Sequence, residues 1–158
     1  MNQISMKKIL LTFFIVISLL NSIYSQSSQP NDNKNQEIDN AYTIAKDVLY
    51  GTDKQQVMDV YIANHQIKNN NYTIVFLHGG GWYISDKSDV QRYIQPYLDK
   101  GFNVINLNYR LMKGIATASE DLTYALNFLQ ANNSTYPCDV TKVILSGFSS
   151  GGHIASLV

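Results

Sequence analysis

Short apolar runs alternate along this chain with segments of mixed polarity. The run at 73–77 (TIVFL) is almost continuously apolar, and the segments at 102–107 and 143–145 are similar short runs bounded by polar residues or glycine. Strands that are buried on both faces of a parallel sheet have this pattern. Apolar residues at helical spacing fill the intervals, at 90–98 and 122–129. The alternation predicts an α/β fold with right-handed crossovers, a mostly parallel sheet and flanking helices.

Two further strands are predicted ahead of this unit. Residues 42–50 and 57–63 alternate apolar with polar positions, and Gly51-Thr52-Asp53 separates them. Alternation of this kind predicts an antiparallel hairpin that has one face wetter than the other.

The two predicted helices differ in regularity. The first is expected to end at Lys100 with Gly101 as its stop, and Pro96 within it predicts a kink or two short pieces. The second has a cleaner apolar face, made by Leu122, Ala125, Leu126 and Leu129, and is expected to end in the loop at 132–134.

The first 25 residues have the pattern of a secretory signal. Lys7 and Lys8 precede a largely apolar run at 9–20, and small or polar residues lead to a preferred cleavage site after Ser25. The run is too short for a stable membrane span, which needs about 20 apolar residues. We therefore expect a secreted or periplasmic protein, with residues 1–25 as signal peptide, 26–40 as a flexible polar leader, and 41–158 as the N-terminal portion of the folded domain.

Composition excludes several classes of function. The 12 basic residues balance the 12 acidic ones, whereas phosphate recognition needs a basic excess, so no nucleic-acid partner is expected. Cys138 is the only cysteine, and no Cys/His set has the spacing of a zinc site. We expect neither a metal nor an organic cofactor, and we expect Cys138 to be a half-buried apolar filler.

Two glycine-rich segments follow predicted strands. The first is HGGGW at 78–82, and the second is GFSSGGH at 147–153, which contains G-x-S-x-G with Ser149 at its centre. In that motif a strand turns sharply into a helix, and the serine lies on the turn in a strained conformation. The flanking glycines are needed because a Cβ there would collide with the neighbouring strand and helix.

The first segment supplies what acyl transfer to a serine requires. Negative charge develops on the substrate carbonyl oxygen, and N–H groups already directed at that position stabilise it. Gly80 and Gly81 are the first choices as donors, the N–H of Ser150 is the third, and Gly79 is expected to shape the turn. A phosphate cradle is disfavoured, since neither segment has the ending of a P-loop or the spacing of a dinucleotide site.

Together with Asn108-Tyr109-Arg110-Leu111 and the strand at 58–61 (MDVY), these segments resemble the α/β-hydrolase fold, in its esterase/lipase branch with an HGGG oxyanion loop. The resemblance covers about 48–158. The chain is similar in particular to secreted carboxylesterases of the feruloyl- and acetyl-esterase kind, to hormone-sensitive-lipase-like enzymes and to kynurenine-formamidase-like enzymes.

The resemblance implies a role for particular residues. Ser149 would be the nucleophile, and Gly79, Gly80 and Gly81 would form the oxyanion hole, while Asp121 would be structural. The implied substrate is a small-molecule or polysaccharide-linked ester. Trp82 and Tyr83 could line an acyl or alcohol pocket or could simply pack.

The acid and histidine of a catalytic triad are not found in this sequence, which ends shortly after Ser149. His65 is expected to be solvated on a polar loop, His78 to shape the oxyanion loop, and His153 to follow the helix away from the attack path. The sequence thus predicts a fold truncated after the nucleophile elbow, and residues 26–158 expressed alone are expected to be poorly soluble and inactive. An amidase, formamidase or peptidase on the same fold and a non-catalytic, decayed hydrolase-like protein are the alternatives.

Overall fold

The computed structural model describes residues 41–64 and 72–158. The predicted signal peptide, the predicted leader and His65 lie outside the described residues.

Five strands form one mixed sheet. They are β1 (Tyr42–Leu49), β2 (Val57–Ala63), β3 (Thr73–Leu77), β4 (Asn103–Leu107) and β5 (Val143–Gly147), in the spatial order β1-β2-β4-β3-β5. Strand β4 pairs parallel with β3, and β3 pairs parallel with β5. Strand β2 is antiparallel to both of its neighbours, β1 and β4. The predicted hairpin and the predicted parallel unit are both confirmed.

Helices cover both faces of the sheet. They are a 3-10 turn at Lys87–Val90, then α1 (Gln91–Leu98), α2 (Ile115–Ala131) and α3 (Ser150–Ala155). Buried residues of the 3-10 turn and α1 pack with one set of strand side chains, whereas those of α2 and α3 pack with the opposite set. The result is the predicted α/β architecture with flanking helices. No helix among residues 41–64 and 72–158 is long and apolar enough to cross a bilayer.

The prediction of a wet face on the hairpin is wrong for β2. Asp59 and Tyr61, the polar positions of its alternation, are 4% and 2% exposed. The reason is that the 3-10 turn and α1 cover this face, where Tyr61 packs in one cluster with Val90, Ile94 and Leu98, and the Asp59 carboxylate is neutralised by buried Lys87. The polar alternation therefore marks an internal ion pair.

The first predicted helix does come in two pieces, but Pro96 does not divide it. The change from the 3-10 turn to α1 falls at Gln91, and Pro96 lies inside α1. The helix ends at Leu98, two residues before the predicted end, and Gly101 follows with a φ of 76° and donates its N–H to the carbonyl of Leu98. Gly101 thus acts as the predicted stop.

The second predicted helix, α2, begins earlier than the apolar spacing indicates. It starts at Ile115 and ends at Ala131, directly before the predicted loop. Asp121, directly before the apolar face that predicts this helix, therefore lies in its second turn.

Candidate active site

The register of the parallel strands brings three loops together. Leu77, the last residue of β3, is opposite Leu107 on β4 and Gly147 on β5. The segments that begin at 78, 108 and 148 therefore leave the same edge of the sheet side by side. This juxtaposition joins the HGGGW segment, the NYRL segment and the G-x-S-x-G segment.

Ser149 occupies the strained turn that its motif predicts. Its φ is 51° and its ψ is −116°, and it is the residue that immediately precedes α3. Its side chain is exposed, whereas Ser150 is buried. A residue held in this sparsely populated region costs about 1–3 kcal/mol and persists where its surroundings fix it.

The glycines on either side of Ser149 are required because a Cβ at either position would collide with the backbone, as predicted. A Cβ on Gly147 would lie 2.5 Å from the carbonyl carbon of Gly151, and a Cβ on Gly151 would lie 2.2 Å from the carbonyl oxygen of Leu77. Both contacts are with backbone atoms, which cannot move aside as a flexible side chain can. The elbow therefore packs directly onto the end of β3.

The HGGGW segment lies against this elbow. A Cβ on Gly79 would lie 2.9 Å from the Phe148 ring and 3.4 Å from Cβ of Ser149. Gly80 and Gly81 have φ values of 103° and 62°, in the left-handed region that favours glycine. The structure thus brings Gly79, Gly80 and Gly81 to the same corner of the molecule as Ser149 and Ser150.

His78 is a buried part of this loop. Its Nδ1 donates to the carbonyl oxygen of Gly79 at 2.7 Å, and its side chain is 1% exposed. Burial lowers the pKa of His78, although the hydrogen bond to Gly79 acts in the opposite direction. Within the described residues Nε2 has no hydrogen-bond partner, so protonation would bury a second, unpaired N–H. His78 therefore shapes the loop as a neutral side chain, in line with its prediction.

Tyr109 connects the loop to the elbow. Its hydroxyl donates to the carbonyl oxygen of His78 at 3.0 Å and lies 3.5 Å from the hydroxyl of Ser150. Burial raises the pKa of Tyr109, so the phenol stays protonated as a donor. The sequence contained Tyr109 in its NYRL segment, but nothing in the pattern assigned it this role.

Asp121 has the structural role that the resemblance implied. It is fully buried and accepts the backbone N–H of Arg110 at 2.7 Å and the side-chain amide of Gln56 at 2.8 Å. The guanidinium of Arg110 completes an ion pair with it at 2.7 Å. These contacts join α2 to the loop after β4 and to the residue before β2.

A cavity of about 220 Å³ opens beside the elbow. It is lined by Trp82, Tyr83, Met112, Gly114, Ile115 and His153. The exposed ring of His153 meets Trp82 edge-on, with centroids 5.7 Å apart. Trp82 and Met112 both have positive φ, and the N–H of Met112 donates to the carbonyl of Trp82 at 2.8 Å, which ties the two walls together.

Cys138 lies away from this corner. It is 1% exposed, more than the half-burial expected, and burial raises the pKa of its thiol to about 11. Among the described residues, no group of three or more His, Cys, Asp or Glu side chains could hold a metal ion.

This chain is similar to several known proteins, two of which are described as esterases. The bifunctional GH43-CE protein of Bacteroides eggerthii superposes with a TM-score of 0.63 at 30% identity, over 72% of this chain and 15% of that one. A truncated carbohydrate esterase from gut microbiota gives 0.64 at 28% identity, over 73% of this chain and 43% of that one. Esterase LipC of Mycobacterium tuberculosis is 24% identical over 120 residues, which are 73% of this chain and 30% of that protein.

This chain spans less than half the length of each of these three relatives. The BD-FAE family profile matches residues 58–158, which run from the second residue of β2 through α3 and include both glycine-rich segments. The fold, the arrangement of the sheet and this match agree, and the chain belongs to the BD-FAE family of α/β-hydrolase esterases.

Proposed function

We propose that this chain carries the nucleophile and the oxyanion hole of a serine carboxylic-ester hydrolase. The observation that carries the proposal is the position of Ser149 on a strained turn at the start of α3, in contact range of the Gly79–Gly81 loop. An exposed serine held at that cost on such a turn is typical of a nucleophile elbow.

The proposed chemistry begins with Ser149. Its hydroxyl oxygen attacks the ester carbonyl carbon while its proton passes to a general base, and a tetrahedral oxyanion forms. The N–H of Ser150, at the first position of α3, has no acceptor within its own helix. That N–H and those of Gly80 and Gly81 are proposed to stabilise the oxyanion. Collapse expels the alcohol, and water then hydrolyses the acyl-enzyme.

Neither described histidine is proposed as the general base. His78 is buried and donates to the Gly79 carbonyl, and the ring of His153 packs against Trp82. We therefore assign the general base and its acidic partner to none of the residues described above.

The cavity beside Trp82 is proposed to receive a part of the substrate that does not react. Its walls are largely apolar and it adjoins α3 one turn beyond Ser149. We propose small-molecule or polysaccharide-linked esters as substrates, supported by the description of one structural relative as a carbohydrate esterase. Export from the cytoplasm is proposed on the pattern of residues 1–25.

The test is covalent labelling of the complete gene product with a fluorophosphonate probe, followed by mass spectrometry. We expect labelling of the peptide that contains Ser149, no labelling of Ser149→Ala, and unchanged labelling of Ser156→Ala, which makes the same substitution at the other end of α3. Labelling that persists in folded Ser149→Ala protein would overturn the proposal.

A matched substrate pair separates the esterase from the amidase and peptidase alternatives. Turnover of 4-nitrophenyl acetate with little turnover of 4-nitroacetanilide is expected of an esterase. The reverse preference would favour an amidase. Absence of both activities in folded protein would favour a non-catalytic relative.

A further inference from the structure

Lys87 is the first residue of the 3-10 turn, and both its backbone and its side chain are held by hydrogen bonds. Its backbone N–H donates to Oδ1 of Asn108 at 2.6 Å, and its carbonyl oxygen accepts from the amide of Asn106 at 2.7 Å. Asn106 is the fourth residue of β4, and Asn108 follows that strand directly. The backbone of Lys87 is thereby fixed to the end of β4 from both sides.

The side chain of Lys87 is fixed as well. Its ammonium group lies 2.8 Å from Oδ1 of Asp59 on β2 and 2.7 Å from Oδ1 of Asp47 at the bulge of β1. The Lys87 and Asp59 side chains are 9% and 6% exposed, so this pair is shielded from water. Lys46 also binds Asp59, at 3.2 Å, but from β1 and with a side chain that is 54% exposed.

The segment that precedes Lys87 is the strained oxyanion loop. Positive φ values occur at four of six consecutive positions: Gly80 at 103°, Gly81 at 62°, Trp82 at 68° and Ser85 at 88°. Gly80 is packed so closely under the carbonyl of Ile84 that a Cβ would lie 2.0 Å from that oxygen. Conformations of this kind persist only where the surrounding structure fixes them.

The loop is fixed at two ends. At its beginning, His78 and Gly79 are held by Tyr109 and by the packing of Gly79 on the elbow. At its far end, the contacts of Lys87 supply the second attachment, and Asn108 also donates to the carboxylate of Asp86. Between these attachments lie only six residues, 80–85, so we expect a movement of Lys87 to displace Gly80 and Gly81.

We propose that Lys87 is a positioning residue for the oxyanion hole, which it holds through its contacts with Asp59, Asn106 and Asn108. The proposal rests on the proposed function, since it assigns Lys87 a purpose in the same site. Its proposed role requires no contact with the substrate or with Ser149. It acts by fixing the path of the backbone whose N–H groups face the developing charge.

Lys46 provides the control, because it binds the same Asp59 carboxylate as Lys87. Comparison of the two lysines distinguishes a role in positioning the loop from a role in stability alone. Lys46→Met and Lys87→Met each remove one cation from the same Asp59 carboxylate. Lys46 binds Asp59 and Tyr61 on β2, whereas the backbone of Lys87 is also bonded to the end of β4. A general loss of stability is expected in both variants and is larger in Lys87→Met, because Lys87 is buried and also binds Asp47. Denaturant unfolding of both variants gives the size of this difference. A loss of positioning is confined to Lys87→Met.

The experiment measures kcat and KM for an activated ester in the complete gene product, at a temperature where each variant is folded. Lys87→Met is expected to lower kcat by roughly 10- to 100-fold with little change in KM, the effect of misplaced groups that act in the transition state. Lys46→Met is expected to stay near the wild-type kcat, and Lys87→Arg is expected to recover part of the loss. Wild-type kcat in folded Lys87→Met would overturn the proposal.

Hydrogen exchange of the peptide at 78–86 gives a second readout that needs no activity. Lys87→Met is expected to speed exchange in this peptide relative to Lys46→Met, and equal exchange in the two variants would overturn the proposal even if the protein had no esterase activity. Absence of Ser149-dependent turnover in the wild type, by contrast, would refute the proposed function alone. If Lys87→Met does not fold, Asn108→Ala, which removes the bond to the Lys87 N–H, is measured in its place with the same expectations.

Discussion

The imidazole ring of His78 stacks on the phenol ring of Tyr109, with centroids 4.4 Å apart and planes 13° apart. The two residues follow adjacent parallel strands, and the Tyr109 hydroxyl donates to the His78 carbonyl at 3.0 Å. One aromatic side chain at the end of β4 thus supports both the ring and the backbone of the residue that opens the HGGGW segment.

Tyr109→Phe is expected to lower stability and activity while it retains the stack. The substitution leaves the ring but removes the donor to the His78 carbonyl, which costs about 1–3 kcal/mol if that carbonyl finds no replacement. Denaturant unfolding and kcat of the complete gene product are the measurements. Tyr97→Phe, which removes a hydroxyl 3.1 Å from Ser146 Oγ on β5, should cost less stability and leave kcat unchanged. Equal kcat values for the two variants would contradict this role for Tyr109.

Gly151→Ala is expected to disrupt the elbow. The new Cβ would lie 2.2 Å from the Leu77 carbonyl oxygen and 2.5 Å from that of His78, and overpacking against backbone costs about 3 kcal/mol or more. Gly152→Ala is the matched control in the same helix, since its nearest contact is 3.2 Å, to the Gly147 carbonyl oxygen. Thermal unfolding should show a large fall in Tm for the first variant and a small change for the second. Similar Tm values would show that the elbow does not pack in this way.

Much of this corner could be predicted because its constraints are local. G-x-S-x-G and the glycine triplet require particular backbone angles and close approaches, and those requirements are visible as glycine in the sequence. The paired roles of Lys87, Asn108 and Tyr109 are different, because each depends on a partner 20 or more positions away. Only the strand register places these partners together.

One signal for this network was nevertheless present in the sequence. Asn106 and Asn108 interrupt an otherwise apolar strand end at two-residue spacing, and a buried amide needs hydrogen-bond partners. Asp59 is a second example. A charged residue at an alternating position of β2 predicted a solvent-exposed face, because its partner Lys87 lies 28 positions away and could not be identified from sequence spacing. Pattern reasoning thus found the strands but could not find the ion pair between them.

Asp121→Ala is expected to destabilise the fold without changing the chemistry. It leaves the Arg110 backbone N–H and the Gln56 amide without their acceptor, and it removes an ion pair whose guanidinium is 24% exposed. A loss of about 2–4 kcal/mol is expected, toward the lower side for a pair that water still reaches. Glu120→Gln, in which an exposed carboxylate 3.9 Å from the same Arg110 is neutralised, should change stability by less than about 0.5 kcal/mol. Comparable losses in urea titrations would contradict the assignment.

Acid is expected to release the contribution of Asp59 to stability. Burial raises the pKa of Asp59, but the hydrogen bonds from Lys87 and from the Asp47 N–H outweigh burial and hold the pKa below its ordinary value of 3.8. The unfolded chain therefore binds the proton more readily, and the contribution of Asp59 is complete above pH 3.8 and is lost as the pH falls through the lower folded value. The stability difference between wild type and Asp59→Asn should be constant near neutral pH and should shrink below pH 3.8. A difference that grows in acid would reverse the sign and contradict the ion pair.

The two attachments of the HGGGW loop also limit how the length of this segment can be varied. Because His78 and Lys87 are both fastened to residues at the end of β4, the intervening segment has a set length, and an insertion or deletion there would have to break one attachment. The opposite wall of the cavity is less restricted in its side chains, since Met112 is 74% exposed, although its N–H is bonded to Trp82 and the φ of 83° at Gly114 strains any substitution there. Under the proposed function, libraries that aim to change which esters fit should therefore vary the exposed side chain at Met112, keep Gly114, and leave 79–86 at its present length.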